Sequence, residues 1–426
     1  MMKSEKQYIE FYQEASSIIK ERSCPVMNAV RDAAFRQFES SGFPTRKVER
    51  YRYTDVDTVF APNYGISLTP ITITPSPFIF HLKDAPIDVS PYYNRVANTK
   101  DSITALNTML SHDALLIYVP PYTKVESPIA IDNWLRGKED TMMNRRFLII
   151  LDKGAEATII ISDRMAPPSQ AIDHHLSEAS PLLEKSEKRK YLTTQVIEVC
   201  CHDNAHLDLY EIEETTSLCS RFSNVYIKVG RDSSVRHNSI TLFNGLTRNL
   251  CDVYLTDTNS QVTLNGCAIG SANQHIDNNT LIHHQAPCCQ SNQLYKYVVD
   301  DQSVGAFAGK ILVEKGAQQT TSQETNANLC ASSEARVYTQ PMLEIYADDV
   351  KCAHGSTVGV MDESALFYMR QRGIPEAEAR TLLKNAFMGQ VINSIQYEPL
   401  RQKLYVKVEK RFRGELDKCE DCRLCK

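Results

Sequence analysis

Val225-Tyr226-Ile227-Lys228-Val229, Ser234-Val235-Arg236 and Gln261-Val262-Thr263-Leu264 follow one another within residues 225–264, with clusters of Asn, Asp, Gly and Ser between them. β-Branched and aromatic residues bounded by turn formers predict short strands. The same texture starts near Ile71 and runs through Leu115 to Val119, Phe147 to Leu151, Ala157 to Ser162, Val196 to Val199 and His206 to Tyr210, then on past Ser303-Val304-Gly305 to Ile345. No exact repeat is visible, yet the pieces recur every few tens of residues, often behind a turn dipeptide. This predicts a mainly β chain coiled into stacked rungs, although periodicity alone does not separate such a coil from a sandwich.

On either side of this core the spacing becomes helical. In residues 1–70, Ile9, Tyr12, Ile18 and Ile19, then Val30, Ala33, Ala34, Phe35 and Phe38 recur at helix intervals, closed by Gly42 and Pro44. After the β region of 71–359, Asp362 is placed to cap a helix carrying Leu366, Phe367, Met369 and Arg370, which Gly373 ends. Pro375 opens a second helix with Ala379, Leu382, Leu383, Ala386 and Phe387 on one stripe. This hairpin in the 360–426 region reads equally as a cap over the open end of the stacked sheet or as a docking surface for a partner. Within the core, residues 163–190 are polar, contain Pro and end in charge, which predicts a mobile loop inserted between strands, with His174 and His175 solvated inside it.

The net charge of -5 over 426 residues comes with no concentration of Lys and Arg, which argues against a nucleic-acid surface. Nowhere do about 18 apolar residues run together, so no membrane span is expected, and the charged N-terminus lacks the apolar core of a signal peptide. A soluble cytoplasmic protein follows from this reading. Its thirteen cysteines are then expected as reduced thiols, most of them packed as small hydrophobes, among them Cys200, Cys219, Cys251 and Cys267.

Chemistry concentrates in three places. In the strand-like run Leu343 to Gly359, Cys352 and His354 are two residues apart, so an extended chain projects both from one face, where a soft or borderline metal could meet them. That is a half-site in need of partners. In Thr280 to Ser291, His283, His284, Cys288 and Cys289 match no common four-ligand spacing, and strand alternation sends the two histidines to opposite sides. In the tail, Cys419, Cys422 and Cys425 form either a metal site lacking a fourth ligand or a loose trio of exposed thiols. Gly305 to Ile311 is one residue short of a phosphate-cradling loop and ends in Ile where a hydroxyl is needed, so no nucleotide is expected to bind this chain. A nucleophile elbow, a helical zinc motif and a dinucleotide-binding glycine pattern are all missing from the sequence.

Further segments carry a resemblance. Pro44-Thr45-Arg46-Lys47-Val48-Glu49-Arg50-Tyr51-Arg52-Tyr53-Thr54 looks like the entry segment Pro-Thr-x-x-x-Glu-x-Trp-x-Tyr-Thr, with Tyr51 in place of Trp. Tyr295-Lys296, Phe307 to Ile311, Gln323 to Leu329, Leu343 to Gly359 and Leu366 to Ile374 continue it. On these residues the chain resembles the SufB/SufD family of the sulfur-mobilisation system for iron–sulfur cluster assembly. His354-Gly355-Ser356-Thr357-Val358-Gly359 resembles the SufD branch, since SufB-like chains carry His-Glu-Ala-Thr near this point.

The resemblance implies a right-handed parallel β-helix between helical regions. It also implies a non-catalytic scaffold that pairs with SufB, binds the SufC ATPase through the C-terminal helices and forms a homodimer when isolated. Leu366, Phe367, Leu382, Leu383 and Phe387 are then the expected SufC-docking residues. His354 first and Cys352 second are the expected contributions to a transient iron–sulfur cluster at the SufB–SufD interface. The Cys419, Cys422 and Cys425 tail and the 163–190 loop are not carried over. Two rival readings stand beside this one: a β-helix polysaccharide-degrading enzyme using Asp348, Asp349 and His354, and a metal-binding module built on the Cys tail.

Overall fold

In the computed structural model, which describes residues 3–69, 71, 73–137, 139–165 and 189–415, the chain alternates between two parallel sheets. The first stacks Leu115–Val119, Thr141–Leu151, Tyr191–Cys201, Cys219–Val229, Leu246–Leu255, His275–His284, Val304–Val313 and Arg336–Ile345. The second stacks Ile129–Leu135, Glu156–Met165, His206–Glu214, Ser234–Phe243, Gln261–Gly270, Gln290–Val299, Thr320–Cys330 and Val350–Val360. One strand of each makes a turn, so the molecule is a parallel β-solenoid and not a sandwich. Glu156–Met165 continues through the start of the expected 163–190 insertion; His174 and His175 lie outside the described residues.

The corners explain why no repeat was visible in the sequence. Where the chain passes from the first sheet to the second, one residue per turn is left-handed: Tyr122, Gly154, Asn204, Asp232, Asn259, Cys288 and Gln319. Each of the first six donates its backbone N–H to the carbonyl just before the corresponding residue of the next turn, from Tyr122 to Lys153 through Asn204 to Arg231 and Cys288 to Gln318. The constraint acts on the backbone, and a column of Tyr, Gly, Asn, Asp, Cys and Gln satisfies it without a shared letter.

The lumen is divided along its length. One side is apolar, built from Phe147, Ile149, Ile197, Val225, Ile227, Val253, Leu207 and their neighbours. On the other side, Arg145 pairs with Asp163, Arg221 bridges Asp163 (2.7 Å) and Glu211 (2.7 Å), and His237 reaches Glu211 at 2.8 Å. Burial would raise the Glu211 carboxyl, but the hydrogen bond from His237 and the Arg221 charge outweigh it and hold the group at about 2. Glu213, two residues on, has only Thr247, Thr241 and Thr215 hydroxyls against its oxygens, and burial pushes it up to about 7. The ten described cysteines are free, and seven of them are buried, as expected for small core residues.

Helices α1 (Lys3–Arg22), α2 (Pro25–Ser41), α3 (Val56–Phe60) and α4 (Ser102–Leu110) cover the outer face of the first sheet around Met142, Leu192 and Phe222. The strand Ile79–His81 pairs antiparallel on Leu115–Val119 at the beginning of the solenoid. The entry segment fastens this layer: the Arg248 guanidinium stacks 3.8 Å from the Tyr51 ring, Arg50 bonds Asn279 at 2.8 Å and Asp252, and Thr54 donates to Asp277 at 2.6 Å. In the C-terminal region, Asp362 caps α5 (Glu363–Gln371) by accepting from Ser364 and Ala365, and Gly373 is left-handed. Helices α6 (Glu376–Asn393) and α7 (Glu398–Phe412) follow; no spacing argument had marked α7. Their apolar faces, with Met388, Val391, Ile392, Leu400, Leu404 and Val408, lie on the outer face of the second sheet against Ile240, Cys267, Ile269 and Val298. The hairpin is therefore no cap on the solenoid's end; it clamps the flank.

Candidate functional site

The last turn, Arg336–Ile345 with Val350–Val360, has a neighbouring turn on one side only. Most residues of Val350–Val360 are exposed, Val360 reaching 76 %. This open edge carries Cys352 and His354.

Register decides where they face. Cys352 stacks on Ser322 and His354 on Glu324, both buried lumen residues, so thiol and imidazole lie on the lumen side of the terminal strand. Followed inward, the Cys352 column is Ser322, Ser291, Val262, Val235, Leu207, and the His354 column is Glu324, Gln293, Leu264, His237, Leu209. Towards the open end the Cys352 column changes from aliphatic to polar over the last three turns, and the His354 column, interrupted earlier by His237, is polar throughout the same three.

The polar stretch is hydrogen-bonded along the axis. His284 Nε2 meets Ser291 Oγ at 2.9 Å and Ser291 meets Ser322 at 2.6 Å, leading to the residue under Cys352. Beside it, Thr280 donates to Gln293 Oε1 at 2.8 Å, and Gln293 Nε2 donates to Glu324 Oε2 at 3.0 Å. Burial lowers His284 to about 4, keeping the ring neutral, and lifts the Glu324 carboxyl to about 8. Burial also raises the Cys352 thiol, partly offset by the Ser322 backbone N–H. Among the described residues, Glu324 Oε1 and His284 Nδ1 have no hydrogen-bond partner.

The quoted sequence segments converge here. Gly309 lies on Val304–Val313, on a strand and not in a phosphate-binding loop, and a Cβ there would come within 2.6 Å of the Glu324 carboxyl. Gly309 is what lets Glu324 cross the lumen. His283 and His284 do point to opposite faces, His284 being buried. Asp348 and Asp349 are exposed in the corner before Val350–Val360, where Asp349 N–H bonds Gln318. Cys419, Cys422 and Cys425 lie outside the described residues. Among the described residues, no three His, Cys, Asp or Glu side chains are arranged to hold a metal ion. Cys352 and His354 remain a half-site.

Of the expected docking residues, Leu366 is buried, and Leu383 and Phe387 face the solenoid. Lys296 Nζ bonds the Phe387 carbonyl at 3.0 Å and sits 4.4 Å from its ring centre. Phe367, at 62 %, and Leu382 are exposed, together with Tyr368. The predicted stripe is thus divided between a face that holds the helices down and a face that is free. Glu324 was missed as a site residue, because Ser322, Glu324, Asn326 and Asn328 read as a solvent face although they point inward. Counting register back from His354 would have found it.

Comparison with known proteins adds relatives to this geometry. The domain described as "SUF system FeS cluster assembly, SufBD core domain" matches residues 134–387, and the "SufBD protein N-terminal region" matches 2–80 and 78–131. The iron–sulfur cluster assembly protein SufD of Escherichia coli (strain K12) is 27% identical over 408 residues, covering 89% of this chain and 92% of the relative. The chloroplastic protein ABCI7 of Arabidopsis thaliana is 24% identical over 439 residues, 93% and 88% of the two chains. SufD of Bacillus subtilis (strain 168) is 24% identical over 318 residues, 73% and 67%. No helix among the described residues is long and apolar enough to cross a membrane.

Proposed function

This chain belongs to the SufBD family of iron–sulfur cluster assembly proteins, and from that premise we propose that it is the SufD-type scaffold half of a cytoplasmic assembly complex. It pairs through its open end with a SufB-type paralogue and binds a SufC-type ATPase through the free face of α5 and α6, with Phe367 and Leu382 in the contact. It hydrolyses nothing itself. The nascent cluster is its cargo, held between the two paralogues, with His354 as an imidazole ligand and Cys352 as the second contributor.

The observation that carries this reading is the lumen column under Cys352, aliphatic through Leu207, Val235 and Val262 and polar from Ser291 on, beside the column that ends in Gln293, Glu324 and His354. An unpaired strand edge beside them offers backbone groups to a second sheet. The test is anaerobic co-expression of His354→Ala with the partner proteins, followed by absorption of the purified assembly. The complex is expected to form with cluster content about tenfold lower, the size of loss that follows weakened metal binding. Cluster content equal to wild type contradicts the role of His354.

A further inference from the structure

The geometry points to Glu324 as the residue that positions His354, accepting a ring N–H at Oε1 so that the other ring nitrogen is offered to the metal. The inference rests on the reading of His354 as a ligand and goes one layer deeper. Three features of the structure support it. Glu324 lies directly under His354 in the parallel register, one strand spacing away and on the same lumen face. Its other oxygen is already committed, since Gln293 Nε2 donates to Oε2 at 3.0 Å and Thr280 fixes that amide by donating to its oxygen at 2.8 Å. Oε1 is buried without a partner in a residue only 1 % exposed.

A buried carboxyl left without a partner is unfavourable by about 1–3 kcal/mol and burial holds it neutral; a ring N–H arriving from the next turn satisfies Oε1 and favours the carboxylate. An imidazole can make that donation only through one nitrogen, which fixes both its tautomer and its plane. Gly309 keeps the lumen clear for the carboxyl, and a methyl there would displace it. Glu324 is a positioning residue in this account; the metal is met by His354.

The test uses the full chain in three variants. Glu324→Met keeps the volume and removes the acceptor, Glu324→Gln keeps one carbonyl oxygen, which Gln293 Nε2 takes, and puts an NH2 donor in the place of Oε1, and His354→Ala assigns the ring. In 15N-histidine spectra, wild-type His354 is expected as a single tautomer, Glu324→Met as a mixture, and Glu324→Gln with the opposite tautomer favoured. In anaerobic Co2+ titrations followed by visible absorption, Glu324→Met is expected to weaken the His354-dependent binding by about 10- to 100-fold, and Glu324→Gln by at least as much. Gly309→Ala, which keeps both residues but displaces the Glu324 carboxyl, is expected to shift both readouts as Glu324→Met does. If Glu324→Met keeps the wild-type ring signals and Co2+ affinity, the positioning role is overturned and the ligand reading stands. If His354→Ala binds Co2+ as wild type does, the ligand reading falls, and this inference with it.

Discussion

Leu207, Val235 and Val262 occupy the same lumen column as Ser291, Ser322 and Cys352, yet the first three are aliphatic and the last three are polar. Exposure does not explain the change. Ser291, Ser322 and Glu324 are as buried as the aliphatic turns behind them, and a buried polar group is unfavourable unless it is bonded. Along this column the middle turns keep what packs best, and the turns next to the mouth keep groups that packing alone would not select. On the proposed function, that contrast marks the end of the solenoid where the cargo would be met.

The largest effect that sharpens the contrast lies in the apolar half of the lumen, far from the open end. Phe147 is fully buried in the apolar half of the lumen, and Phe147→Ala is expected to lower unfolding free energy by about 3–5 kcal/mol in urea denaturation. Val358, on the terminal strand and mostly exposed, is expected to change it by less than about 0.5 kcal/mol when replaced by Ala. Comparable losses at both sites would show that the last turn is packed like the others.

Next in size are exchanges across the boundary of the polar stretch. Val262→Ser moves it one turn inward and is expected to destabilise by about 1–3 kcal/mol, since the new hydroxyl enters an aliphatic column. Ser291→Val, the reverse exchange, orphans both Ser322 and His284 and is expected to lose a similar amount through those unpaired groups. A stabilised Ser291→Val chain would mean that the serine file adds nothing.

The smallest effect is a pH dependence within the polar half of the middle turns. Glu213 sits near 7 when folded, above the ordinary 4.5, so between these values the folded chain holds a proton that the unfolded chain releases. Stability from this group is complete below the unfolded value and declines as pH rises through about 7. Glu213→Gln removes that slope, and urea midpoints from about pH 4.5 to pH 8 should fall less for the variant than for wild type. Identical slopes would place the proton elsewhere.

Much of this architecture was legible in the sequence because strand texture, the Asp362 cap and the Gly373 stop are local signals. Stacked rungs could not be told from a sandwich, because the feature that decides between them is the backbone ladder through Asn204, Asp232, Asn259 and Cys288, which leaves no common letter. The site was half legible. Strand alternation put Cys352 and His354 on one face, but only three-dimensional register brings Glu324 beneath His354 and Gly309 across from Glu324. The hairpin's location on the flank depended on α7, whose apolar positions Leu400, Leu404 and Val408 are too sparse among charges to stand out.

The central claim, that the open last turn is the working end, is tested most directly by hydrogen exchange on the full chain, alone and mixed with its SufB-type paralogue. Amides of Val350–Val360 and Arg336–Ile345 are expected to exchange quickly in the free chain and to gain protection on mixing, while Leu115–Val119 at the other end stays unchanged. Protection appearing at the beginning of the solenoid, with the last turn still exchanging freely, would contradict the account.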